Sequence, residues 1–201
     1  GPVDFPYTSF DDNALDADSQ DATLHILVVP DLAIKVRVYL EGSLLNNGGE
    51  TAPDGRPLMR DNLRKSPFQS NTRYIPNTDP YKYLPPLYAL IGSVDITSNF
   101  DHVTPGGLAN QNRFDSVRTD RLTIFDVEGP DALVDWVYVE LRNKSLNTYV
   151  IATRSGFVQR DGDVVDLDGI SPLKFPGVPM DNYYVVVRHR AHLGSMTATA
   201  K

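Results

Sequence analysis

The chain has 201 residues, enough for one sizeable core, and its lack of Cys excludes disulfides and thiolate metal sites. Its 19 Lys and Arg stand against 26 Asp and Glu, a net charge of -7, which removes the basic footprint that phosphate-backbone binding requires. No apolar run approaches the roughly 18 residues of a membrane span, so neither nucleic acid nor a membrane span is expected.

Gly1-Pro2 reads as the scar of a removed tag, so the numbered chain is expected to be an excised piece, and the missing export signal has no bearing on export. Residues 3–22 carry six Asp and no basic residue, which predicts an acidic lead-in over residues 1–22 with at most one short helix or edge strand. A short apolar run follows at 23–29, closed by Pro30-Asp31. Residues 33–42 alternate Ile34, Val36, Val38 and Leu40 against Lys35, Arg37, Tyr39 and Glu41, the period of two that a strand with one buried face requires. Asn-Gly and Asp-Gly pairs then mark 44–57 as loop, and residues 58–65 have the pattern of two helical turns.

Residues 66–87 hold Pro67, Pro76, Pro80, Pro85 and Pro86 interleaved with tyrosines, too much proline for a central strand, so an ordered cover is expected there. Strand character returns at 87–97 and again at 121–127. Residues 132–142, A-L-V-D-W-V-Y-V-E-L-R, alternate Val137, Val139 and Leu141 against Trp136, Tyr138 and Glu140. They read as the central strand, with one face in the core and the other an aromatic and charged surface. Strands are expected at 148–153, 156–159, 164–167, 173–175 and 182–190. Asp161-Gly162 and Asp168-Gly169 supply hairpin turns, because Gly takes positive φ at little steric cost. The apolar run Val185 to Val187 places the last strand inside a sheet.

Scarce helical patterning and regular short strands point to an all-β chain, an antiparallel β-sandwich of Ig-like or jelly-roll-like type with long proline- and tyrosine-rich loops. The expected division is an acidic lead-in at 1–22 and a single β-sandwich domain at 23–201, with a loop insertion at about 66–120.

Four stretches, V-D-W-V-Y-V-E-L-R (134–142), Q-R-D-G-D-V-V-D-L-D-G (159–169), S-P-L-K-F-P-G-V-P (171–179) and N-Y-Y-V-V-V-R-H-R (182–190), carry a resemblance. They resemble a β-sandwich module that recurs in large secreted or surface multidomain proteins of bacteroidete-type bacteria, adhesin-like proteins that often bear a C-terminal sorting domain. Weaker likeness extends to 38–42, 58–64 and 75–81. The chain departs from the pattern at Ala191, where a polar Asn is expected, and in the long stretch 83–120. The resemblance implies an extracellular or cell-surface location and neighbouring modules of the same polypeptide as partners. It brings no catalytic residues.

Three constellations could carry chemistry. Tyr74, Tyr81, Tyr83 and Tyr88, with Asn77 and Asp79, could bind a glycan, since sugar rings stack on aromatic faces while amides and carboxylates hold hydroxyls; the same tyrosines could equally pin a proline-rich loop to the sandwich. Tyr39, Trp136 and Tyr138 extend that aromatic surface on the outward sides of their strands. Asp161, Asp163, Asp166 and Asp168 could converge on Ca²⁺, although Val164-Val165 breaks the D-x-D-x-D-G spacing and the four could be plain turn aspartates. His25, His102, His189 and His192 are too scattered for a zinc spacing, and on a straight strand His189 and His192 would face opposite sides. Arg188 and Arg190 are expected to pair with strand carboxylates such as Glu140.

No G-x-S-x-G elbow and no phosphate loop occurs. The reading is a non-enzymatic extracellular structural or adhesion module, with polysaccharide binding through the tyrosine-rich surface as the alternative.

Overall fold

The computed structural model describes residues 3–7, 22–26, 31–45, 47–64, 73–83, 103–104, 108–109 and 115–201. The chain divides into two compact units, Gly1–Pro30 and Asp31–Lys201. In the first, β1 (Val3–Tyr7) pairs antiparallel with β2 (Ala22–Ile26), Val3 opposite Ile26 and Tyr7 opposite Ala22. The acidic lead-in thus holds a paired strand.

The described residues of the second unit are mostly strand: β3 (Leu32–Ile34), β4 (Val36–Arg37), β5 (Val103–Thr104), β6 (Leu108–Ala109), β7 (Leu133–Asn143), β8 (Val150–Gln159), β9 (Asp163–Val165), β10 (Leu173–Phe175), β11 (Tyr183–His189) and β12 (His192–Met196). One short helix, α1 (Glu41–Leu44), and 3-10 segments at Pro80–Tyr83 and Thr119–Asp126 complete them. Six strands form an antiparallel sheet in the order β12-β11-β7-β8-β9-β4. A second sheet pairs β3 with β10, and β5 pairs with β6.

The expected strand at 33–42 is broken at Lys35. β3 pairs with β10 while β4 pairs with β9, so the chain crosses from one sheet to the other. The apolar alternation survives the crossing: Leu40 is buried, and Ile34, Val36 and Val38 pack on the same core. Both Asp-Gly turns stand at opposite ends of β9, with Gly162 at φ 90° and Gly169 at φ 74°, as the sequence predicts. The strands expected at 148–153 and 156–159 are one strand, β8, paired along β7 with Trp136 opposite Phe157 and Glu140 opposite Thr153.

Two of the expected elements do not form. Residues 121–126 lie in a 3-10 segment and Val127 follows it, so no strand forms at 121–127, and residues 58–64 form no helix. Instead the Met59 N–H donates to the Arg160 carbonyl (2.8 Å) and Arg64 bonds Asp61 and the Phe125 carbonyl. The strand expected at 87–97 lies outside the described residues.

Both faces of β7 are buried. Val137, Val139 and Leu141 meet Val158, Leu173, Phe175 and Leu32 in an aliphatic core, and Trp136 and Tyr138 meet Phe157, Val165, Ile75, Tyr81 and Phe125 in an aromatic one. The surface expected for Trp136 and Tyr138 is therefore interior, and Tyr39 is half-buried against the aliphatic core. Each of these large side chains contributes about 1.5–3 kcal/mol by leaving water.

Candidate functional site

The segment 73–83 lies over the aromatic face of β7 and β8 and is tied to them by bonds that use its polar groups. The Tyr81 hydroxyl donates to the Trp136 carbonyl (2.8 Å), and the Trp136 indole N–H donates back to the Pro76 carbonyl (2.9 Å). Asp79 accepts from the Tyr81 N–H (2.7 Å) and from the Ser155 hydroxyl (2.6 Å). Asn77 accepts from the Arg73 guanidinium, which sits 4.0 Å over the Phe125 ring. Burial, then the charges of Asp135 and Asp79, push the Tyr81 phenol well above its ordinary pKa.

Of the six residues proposed for a glycan, Tyr81 is 1% exposed and Asp79 is fully buried, so neither can meet a sugar from outside. Tyr74 is 51% exposed. Tyr88 and the side chain of Tyr83 lie outside the described residues.

The four aspartates proposed for calcium are divided between the two ends of β9. Asp161 is buried, accepts from the Asp163 N–H (3.1 Å) and lies 3.1 Å from the Arg56 guanidinium; Asp163 pairs with Arg37 (2.7 Å). At the far end Asp166 accepts from Arg154 (3.0 Å), the Leu167 N–H (2.7 Å) and the Lys174 N–H (3.0 Å). Asp168 accepts from the Ser171 hydroxyl (2.6 Å) and from the N–H groups of Ile170 and Ser171. Burial alone would raise the pKa of Asp168, but these three donors hold it below the usual carboxylate value. Among the described residues no group of three or more His, Asp or Glu side chains is arranged to hold a metal ion.

Three buried charge clusters were not foreseen as units. Glu140, 1% exposed, lies between Arg142 (2.7 Å) and Arg188 (2.5 Å), the second of which the sequence had paired with it. Arg154 spans Asp115 (3.2 Å) and Asp166 while donating to the Lys174 carbonyl (2.8 Å). Asp135 is buried and receives Arg190 Nη2 on Oδ1 (2.9 Å) and Oδ2 (2.7 Å), Arg190 Nε on Oδ2 (3.2 Å), its neighbour's backbone N–H (2.8 Å) and His189 Nε2 (3.1 Å). Burial works to raise the Asp135 pKa, yet these donors pull it below its ordinary value.

His189 and His192 are neighbours, not on opposite sides. The two-residue turn Arg190-Ala191 sets them opposite each other across β11 and β12, with ring centroids 4.8 Å apart. The signal was present in a strand ending V-R-H-R followed by a short turn, but it becomes readable only once the second strand, β12, is known.

Among the described residues, two grooves open to solvent flank β4. One of about 690 Å³ runs along β4 and β9, lined in part by Lys35, Arg37, Asp131, Gln159 and Ile170. There Arg37 is already paired with Asp163, and the Gln159 amide donates to the Asp131 and Gly169 carbonyls. The other, of about 540 Å³, lies between β4 and the β11–β12 hairpin, with Val36, Val38, Val185, Val187 and Met196 on its walls. No helix among the described residues is long and apolar enough to cross a membrane. No protein-family model matches this chain, and neither does any curated protein or solved structure.

Proposed function

We propose that this chain is a non-enzymatic structural or adhesion module of a large secreted or cell-surface protein, with its layers arranged as an antiparallel β-sandwich bearing long proline- and tyrosine-rich loops. One observation carries the reading: the buried acids and arginines are spent on fastening loops and strands to one another. Asp79, Asp115, Asp135, Glu140 and Arg154 each bond a neighbouring strand, turn or cover segment. A charge committed in this way stiffens the scaffold and is not free to act on a substrate. The resemblance of 134–142, 159–169, 171–179 and 182–190 to bacteroidete surface modules supports the same reading. The module works through rigidity and through contacts with neighbouring modules of its own polypeptide.

Labelling intact source cells with an antibody to this chain tests the location. Signal on unbroken cells is expected, and signal only after lysis overturns the reading. Affinity electrophoresis against a polysaccharide panel tests the alternative of glycan binding. Retardation that is lost in Tyr74→Ala would establish the alternative in place of a purely structural role. Tyr81→Ala is unsuited to this purpose because the ring is part of the core.

A further inference from the structure

The histidine pair at the β11–β12 turn forms a hydrogen-bonded chain with one end buried and the other on a helix. Asp135 is a carboxylate and only accepts, so the His189 Nε2 that lies 3.1 Å from it carries a proton. His189 Nδ1 is then an acceptor. It receives the Ala191 N–H (3.1 Å) and faces His192 Nδ1 at 2.8 Å, which must therefore be the protonated nitrogen of its ring. His192 Nε2 is left as an acceptor and takes the Gly42 N–H of α1 (3.3 Å). Every ring nitrogen has a partner, His189 Nδ1 sharing its lone pair between the Ala191 N–H and the His192 ring, and in this arrangement the pair holds two protons.

A third proton has no vacant place. On His192 Nε2 it would displace the Gly42 N–H. On His189 Nδ1 it would either meet the proton of His192 across 2.8 Å or drive that proton round to Nε2, which again displaces Gly42. α1 has no buried residue, and Gly42 is otherwise held here by its carbonyl, which accepts from Arg60 (3.1 Å). We propose that Asp135, His189 and His192 form a proton-operated latch that fastens α1 to the β11–β12 turn and opens when the histidine pair takes up a further proton.

The charges around the pair set the direction of the response. Asp135 on β7 and Glu41 on α1 favour a protonated pair; Arg190 in the turn and Arg60 beside α1 oppose it, and Tyr81, raised in pKa, stays neutral. Burial first, and then His189, hold the His192 ring below its ordinary value of 6.5 despite Glu41 and Asp135. A folded value below the unfolded one means that the latch contributes fully above about 6.5 and is lost as pH falls through the folded value.

The test is amide hydrogen exchange with ring-nitrogen NMR on the whole chain, from about pH 7.5 to about pH 5. After correction for intrinsic exchange, Gly42 protection should fall at least about tenfold over this range as the His192 ring charges. In His192→Gln, whose side chain can accept from Gly42 without titrating, protection should not change with pH. Constant Gly42 protection in the wild type, the same acid transition in His192→Gln, or a His192 ring that titrates above the ordinary value would each overturn the latch. The ring titration needs no variant, so a misfolded His192→Gln leaves the test intact.

Discussion

The two faces of β7 are equally dry and built in opposite ways. One is aliphatic, with Val137, Val139 and Leu141 set against Leu173 and Phe175, and needs only shape to be stable. The other carries Trp136, Tyr138, Glu140 and Arg142, each bearing a polar group that costs free energy in the interior unless it is bonded. The second face is interior because the segment 73–83 covers part of it and brings acceptors for its donors, the Pro76 carbonyl for the indole being one. A polar residue on an alternating strand therefore marks water only where no cover supplies partners.

The sharpest way to break this comparison is to cut one residue from each face. Glu140→Ala would strand Arg142 and Arg188 without their shared carboxylate, and a loss of about 3–5 kcal/mol is expected on urea unfolding. Leu141→Ala, its neighbour on the aliphatic face, should cost about 2–5 kcal/mol through the cavity it leaves. Similar losses would make the two faces equal partners in stability. A Glu140→Ala loss under about 1 kcal/mol would instead mean that the charged face is solvated.

The contrast also explains what could be read in advance. The strand position at β7 followed from the period of two, that of β11 from its apolar run at Val185 to Val187, and the Asp-Gly turns from backbone chemistry at two glycines. Burial of Trp136 and Tyr138 was not legible, because alternation records which residues share a face and says nothing of whether a distant segment covers it. The crossing at Lys35 was hidden for a related reason: β3 and β4 change hydrogen-bond partners without changing the side on which Ile34 and Val36 stand. At residues 121–127, Leu122 and Ile124 alternated like a strand, yet they pack on the aromatic core from a 3-10 segment. The Asp135–His189–His192 chain depends on a bulged β7 and a two-residue turn, long-range facts that no local pattern encodes.

Within the cover itself, Tyr81 and Tyr74 repeat the comparison on a smaller scale. Tyr81→Phe removes only a hydroxyl and leaves the Trp136 carbonyl short of one donor, for an expected loss of about 1 kcal/mol. Tyr74→Ala, at a half-exposed ring, should stay within about 0.5 kcal/mol of wild type. Equal effects at both positions would mean that the cover does not grip the sheet through Tyr81.

A pH series extends the comparison to the loop after β9. The folded pKa of Asp168 is lowered, so its contribution is complete above the ordinary carboxylate value and disappears as pH falls through the lowered one. The stability difference between wild type and Asp168→Asn should therefore be largest near neutrality and shrink in acid. A difference that does not change with pH would show that the turn depends on shape and not on charge.

The smallest expected effect is that of calcium, and it follows from how the four aspartates of this region are already occupied. A hard cation needs several oxygens turned toward one point, whereas Asp161 and Asp163 face Arg56 and Arg37 and the other two face Arg154 and the backbone donors of 167–174. Gathering them would mean breaking those ion pairs and folding up β9, which separates the two pairs. The melting temperature should therefore be the same in millimolar Ca²⁺ as in chelator. A rise with Ca²⁺ that vanishes in the double variant Asp161→Ala, Asp166→Ala would require a loop rearrangement, in which the arginines act as placeholders for a cation that the folded chain admits.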